Sequence, residues 1–242
     1  MFDIAFHPNY AATKIFYAFY SFLAGGKHWT RLSQFKYIDG QVAQTGNTET
    51  QLLNIQQTRT VHKAGAIVIH EGQLYLSLGD GGGDDDPDRQ AQDETSLLGK
   101  VLRMKVSDTG AVTGTGFSGP NKLIFAKGFR NPHKMTVDSA TGELWIGDVG
   151  QSSREELSVL KTTSTSMKNF GWPMWEGFRC NVNFAGGGCD TLSWAAVTPP
   201  SFDYCHPGVG MGAKDKKACP AFTGNCVIGG VVYRGKRYPK LV

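Results

Sequence analysis

Apolar residues along this chain come in short runs, alternating or continuous, broken by glycine and polar turns, which is the patterning of β-strands. Residues 15–20 (IFYAFY) form one such apolar, aromatic run. Residues 66–69 (AIVI), a turn at His70-Glu71-Gly72 and residues 73–78 (QLYLSL) read as a hairpin. Met135-Thr136-Val137, a turn from Asp138 to Gly142 and residues 143–146 (ELWI) repeat it. Both hairpins run into Gly-Asp, and the two aspartates, Asp80 and Asp148, stand 68 residues apart. A further hairpin is expected to open at residues 229–233 (GGVVY). Helical signal is weak; residues 96–100 and 155–157 read as short turns at most. Strand units recurring at this distance, with long irregular connections, predict an all-β fold of the β-propeller kind. A plain β-sandwich is the alternative on pattern alone. In a propeller the connections at one end of the ring converge on the axis, where a site would form.

Composition narrows the class. The 31 glycines in 242 residues are nearly twice the usual ~7 % and disfavour a helical bundle. With 40 % hydrophobic and 19 % charged residues, the chain has material for a core and is unlike a disordered one. Net charge is +4, and the basic residues form no stripe that points to nucleic acid. No run approaches the ~18 apolar residues of a membrane span, and residues 1–8 carry no signal-peptide pattern. Residues 227–242 alternate, turn at Arg234-Gly235-Lys236 and stop, leaving an unpartnered edge. The chain therefore reads as an internal piece of a longer protein.

Cys180, Cys189, Cys205, Cys219 and Cys226 all fall in the last third, in loop-rich sequence. The paired short spacings of a zinc site are absent. Disulfides stapling loops in an oxidising compartment are expected, with one cysteine left over and the pairing open.

Four segments could do chemistry. His62 stands just before the first hairpin and Asp80 at its end; an imidazole oriented by a carboxylate is a general base. Asp84, Asp85, Asp86 and Asp88 suit a hard cation such as calcium or a solvated acidic turn, without the register of an EF-hand. Arg130 offers a guanidinium fork with Asn131 beside it, fit for a carboxylate or a developing oxyanion. Residues 147–156 (GDVGQSSREE) combine glycine-rich backbone, whose carbonyls can face a cation, with Glu155 and Glu156. No nucleophile elbow, phosphate loop or dinucleotide fingerprint occurs.

Taken in order, His62-x-x-Gly65, LYLSLGDGGG, SLLGKVLRMKV, GFRNPHKMTVD, ELWIGDVGQSSREEL and NFGWPMWEG resemble the glucose/sorbosone dehydrogenase family. GDVGQ and the cysteine after Trp175-Glu176-Gly177-Phe178 lean toward its Hedgehog-interacting-protein-like branch. The resemblance implies a six-bladed propeller with about four blades in residues 1–242 and a Cys-rich loop insertion at 178–227. It also implies pyrroloquinoline quinone and calcium on the axis. His62 takes the catalytic-base position and Asp80 that of its orienting carboxylate, while Arg130 and Asn131 contact the quinone. Gly150 and Gln151 would give carbonyls to the cofactor's calcium, and Glu155 and Glu156 would hold a second calcium. Arg234 stands for a basic cofactor-binding residue. Val61 replaces a substrate-binding carboxylate of glucose-oxidising members, Gln151 replaces a proline, and the last-blade arginines would lie beyond Val242. The implied activity is oxidation of an aldose at its CH–OH group, with a sugar substrate and an electron acceptor, in a secreted or periplasmic protein. The alternative is a noncatalytic extracellular module that captures a protein ligand through residues 84–88 and the loop from Cys180 to Cys226.

Overall fold

The computed structural model describes residues 1–39, 48–63, 65–182, 184 and 187–238. The chain is all-β and builds propeller blades from consecutive antiparallel strands. The first sheet runs β1 (Asp3–Phe6), then β2 (Ile15–Ala24), β3 (Lys27–Lys36) and β4 (Thr50–Gln56), each paired with the next; a single helical turn, α1 (Tyr10–Thr13), joins β1 to β2. The second holds β5 (Ile67–His70), β6 (Gln73–Leu78) and β7 (Lys100–Val106), with β8 (Val112–Gly114) and β9 (Ile124–Lys127) both against β7. The third runs β10 (Pro132–Asp138), β11 (Glu143–Asp148) and β12 (Arg154–Lys161). Two-residue strand β13 (Lys168–Asn169) then extends the second sheet beyond β9, and β14 (Trp175–Glu176) and β15 (Arg179–Cys180) make a small hairpin. Last comes β16 (Phe202–Cys205), which returns to β12 as fourth strand of the third sheet.

The middle sheet is covered on both faces, which explains why its strands are apolar almost throughout. On β6, Leu74, Leu76 and Leu78 point to a core shared with Tyr17, Phe19 and Leu32 of the first sheet. Tyr75, one residue out of phase, joins Phe125, Phe129, Leu144 and Ile146 on the other side; the period of two sends neighbours to opposite faces. The three sheets are laced together. Ile67 N–H donates to Asp3 Oδ2 (2.9 Å), Lys134 Nζ to the Phe2 carbonyl (2.9 Å) and Ser77 Oγ to the Pro132 carbonyl (2.8 Å).

Three readings of the sequence are corrected. Residues 155–157, expected as a short turn, lie inside β12, whose two neighbours β11 and β16 supply a ladder that local propensity does not reveal. The stretch 178–227 is more than a loop insertion, since it contains β15 and β16. Residues 229–233, expected to open a further hairpin, form no strand. A hairpin needs a second strand to close its ladder, and positions 239–242, including Val242, lie outside the described residues, as does Ala64. The cysteines behave as expected: Cys180 pairs with Cys189 and Cys205 with Cys219, leaving Cys226 free and exposed. No helix among the described residues is long and apolar enough to cross a membrane.

Candidate active site

The chain enters β5 just after His62, leaves β6 at Asp80, enters β10 after Arg130-Asn131 and leaves β11 through Asp148. All four therefore sit at the same end of two neighbouring sheets. Gly79 makes the approach possible: a Cβ there would lie 2.0 Å from the His62 carbonyl oxygen and 3.1 Å from Asn131 Oδ1. His62 itself is held with φ at +48°, a left-handed conformation that costs a side-chain-bearing residue energy.

The expected dyad forms. His62 Nδ1 lies 2.8 Å from Asp80 Oδ1. An ionised carboxylate only accepts, so Nδ1 is the nitrogen that donates to Asp80 and Nε2 is the one turned away from it. Asp80 is buried with both oxygens engaged: Oδ1 also accepts Gly82 N–H (2.8 Å), and Oδ2 accepts Trp172 Nε1–H (2.9 Å).

Arg130 and Asn131 belong to the same constellation. The Asp80 N–H donates to the Arg130 carbonyl (2.8 Å), while the Arg130 and Asn131 amides donate to Asp148 Oδ2 (3.0 Å) and Oδ1 (2.6 Å). Arg130 Nη1 donates to the carbonyls of Val149 (2.9 Å) and Gly150 (2.6 Å), and its guanidinium carbon stands 5.6 Å from the Trp172 ring centroid. Two buried polar atoms here lack any partner, Arg130 Nε and Asn131 Oδ1. Orphaned groups of this kind are costly unless something binds them. Burial raises the Asp148 carboxyl, up to about 7, against the pull of these amides and of Arg130.

The other expected ligands do not all converge. Gly150 sits in a sharp turn, where a Cβ would fall 1.8 Å from the Arg154 carbonyl oxygen. The amides of Gln151, Ser152, Ser153 and Arg154 all donate to Glu176 Oε1, at 2.7 to 3.1 Å. The Gln151 side chain instead clasps Asp85, accepting its N–H (2.8 Å) and donating to its Oδ1 (3.1 Å). Glu155 and Glu156 are consecutive on β12 and face opposite ways. Glu155 accepts from the amides of Gly150 and Val227 and lies 2.6 Å from His206 Nε2. Glu156 accepts from Gly177 N–H and stands in register between Asp148 on β11 and Asp203 on β16. Burial, then the nearby Asp148, pushes Glu156 well above the ordinary carboxyl range. Across this row the buried cation among the described residues is Arg154, bonded to Asp203 at 2.6 Å. Among the described residues no three His, Cys, Asp or Glu side chains converge as a metal cluster. A second calcium held by Glu155 and Glu156 together does not fit, because a strand cannot aim consecutive side chains at one ion.

Arg234 is also elsewhere. It forks onto Asp138, at the far end of β10 from Asn131, roughly 20 Å away by strand rise. The acidic loop divides: Asp85 bonds Gln151 and Asn181 (2.7 Å), Asp88 pairs with Arg59, and Asp86 turns inward to the amides of Gln90 and Ala91. Beneath it Lys100 is fully buried, its ammonium on the carbonyls of Gln90, Ala91 and Leu98. Burial pushes Asp86 up to about 6 and Lys100 down to about 7. Asp85, Asp86 and Asp88 thus brace the loop through protein partners.

With the geometry in place, comparison with known proteins decides the family: residues 1–236 match the sequence profile of Glucose / Sorbosone dehydrogenase. The chain belongs to the glucose/sorbosone dehydrogenase family. Relatives in this family include HIPL1 protein of Arabidopsis thaliana, 29% identical over 200 residues (72% of this chain, 28% of that one). Aldose sugar dehydrogenase YliI of Escherichia coli is 24% identical over 191 residues, 76% of this chain and 48% of its own. The chain thus spans about half or less of the curated relatives it matches. Apo soluble aldose sugar dehydrogenase from Escherichia coli superposes with a TM-score of 0.65 at 23% identity, over 83% of this chain and 57% of that one. This likeness supports the propeller fold.

Sequence reasoning missed Trp172 and Glu176 as parts of the site. Trp172 had one local signal, an aromatic between Gly171 and a proline in a glycine-rich loop, but nothing in its spacing points to an aspartate 92 residues earlier. Glu176 lies in the NFGWPMWEG motif, but its partners are backbone amides, which no pattern of side chains points to.

Proposed function

We propose that this chain contributes the site of a quinone-dependent dehydrogenase that oxidises an aldose at its CH–OH group, with His62 as base. The observation that carries the reading is the His62–Asp80 dyad joined through one backbone bond to Arg130, with unpartnered buried atoms on Arg130 and Asn131 beside it. Those orphaned groups fit pyrroloquinoline quinone, which presents carbonyls and carboxylates for a guanidinium and a ring N–H for an amide oxygen. Calcium on the Gly150 and Gln151 carbonyls belongs to the same proposal; the Gly150 carbonyl accepts from Arg130 Nη1 at 2.6 Å, a bond that the ion would replace with a hard-cation contact. When bound, the quinone supplies the two-electron acceptor for the hydrogen leaving C1.

The chain's own residues do the rest. His62 Nε2, left as a lone pair by the Nδ1–H bond to Asp80, takes the C1 hydroxyl proton. Asp80 holds the tautomer and stabilises the imidazolium that results. Arg130 places positive charge where oxyanion character develops. Val61, half exposed beside His62, offers no carboxylate to grip a sugar hydroxyl, so selectivity for glucose is weak. The disulfides suit secretion or a periplasm. The test is to load the full-length protein with pyrroloquinoline quinone and calcium and follow dye reduction with a panel of aldoses. Turnover with several aldoses is expected; absence of both quinone binding and turnover overturns the reading.

Exposed Val182 and Met211 within the two disulfide loops, and exposed Phe222 just after the second, favour one second reading, capture of a protein ligand by the Cys180 to Cys226 segment. Loss of capture on replacing the three by serine is its test.

A further inference from the structure

Asp80 is gripped from two sides by donors of different origin. His62 and Gly82 share Oδ1, which by itself leaves the carboxylate free to turn about its Cβ–Cγ bond. The second oxygen is fixed by the indole N–H of Trp172 at 2.9 Å. That indole is itself immobilised. Trp172 is buried, its backbone N–H donates to the Gly128 carbonyl (3.1 Å), and its backbone carbonyl accepts from Gln92 Nε2 (2.7 Å). Gln92 is held in turn by Asn169, at 2.9 Å. The ring face is the one that Arg130 approaches. One side chain therefore touches both the carboxylate that orients the imidazole and the guanidinium of the neighbouring sheet.

We propose that Trp172 is a positioning residue, whose N–H sets the plane of the Asp80 carboxylate and so fixes His62 as the Nδ1–H tautomer with Nε2 free. The catalytic consequence rests on the dehydrogenase reading; the tautomer does not. Without the indole donor, Oδ2 is a buried, unpaired acceptor, and the carboxylate rotates to recover a partner. His62 then loses the in-plane acceptor that held its hydrogen on Nδ1. Packing alone makes a different demand, for ring volume beneath Arg130, and phenylalanine meets it.

The experiment is Trp172→Phe in the full-length protein, read by the ring 15N and N–H signals of His62 and by separate kcat and KM values. The expected result is a single Nδ1–H tautomer in the wild type that becomes a mixture in the variant, with kcat down about tenfold and KM little changed. Should Trp172→Phe not fold, benzothienylalanine at position 172, the same shape with sulfur in place of N–H, asks the same question. Unchanged His62 signals in a folded variant overturn the proposal and leave Trp172 a packing residue. A wild type that binds no quinone but whose tautomer still depends on position 172 refutes the dehydrogenase reading while supporting this one.

Discussion

Asp80 and Asp148 close equivalent second strands of adjacent sheets behind the same Gly-Asp pair, 68 residues apart, yet they have opposite surroundings. Asp80 gives its oxygens to an imidazole, an indole and one loop amide. Asp148 gives both to the backbone amides of Arg130 and Asn131. The first is matched to a side chain that can move a proton. The second is a brace that presents the next blade's side chains to the first blade's dyad. A repeated strand end thus supplies chemistry in one blade and scaffolding in the next, and the difference lies in which donors the adjoining loop brings.

The sharpest way to break this comparison is Asp80→Asn. The amide turns a donor toward His62 Nδ1 and reverses the tautomer, so turnover is expected to fall about 10²–10⁴-fold with far-UV circular dichroism unchanged. Asp148→Ala is predicted to act on stability instead. It leaves two half-buried amides without their acceptor and costs about 1–3 kcal/mol by denaturant titration. A turnover loss from Asp148→Ala as large as that from Asp80→Asn, at full stability, would erase the distinction.

A smaller effect follows from pH. Burial raises Asp148 from 3.8 to about 7, so the folded chain keeps a proton that the unfolded chain releases. Its contribution is complete below about 4 and is lost as pH rises through about 7. Denaturation at pH 5 and pH 8 is expected to show lower stability at pH 8, with the difference reduced in Asp148→Asn. Smallest of all, Arg234→Ala leaves quinone affinity as it was, because its partner is Asp138; weakened binding by isothermal titration would return Arg234 to the site.

Much of this was legible in the sequence because it is carried by short spacings. Period-two runs located β5, β6, β10 and β11, and the residues bordering a hairpin had to meet, which brought His62 to Asp80. What stayed hidden depends on long-range pairing. Residues 155–157 look turn-like until β11 and β16 flank them, and that pairing is also what sends Glu155 and Glu156 to opposite faces. Arg234 matched a family position, but the direction of its side chain depends on which acid it meets, and Asp138 is 96 residues earlier in the chain. Trp172 reaches Asp80 across 92 residues, beyond any local pattern.

The central claim is that His62, oriented by Asp80, removes a proton from a sugar hydroxyl. The most direct measurement is dye-coupled aldose oxidation by the full-length protein carrying pyrroloquinoline quinone and calcium, wild type against His62→Ala. The account predicts turnover in the wild type and at least about a hundredfold loss in the variant with quinone affinity preserved. Equal rates in the two proteins, or a quinone-loaded wild type that oxidises no aldose, would contradict it.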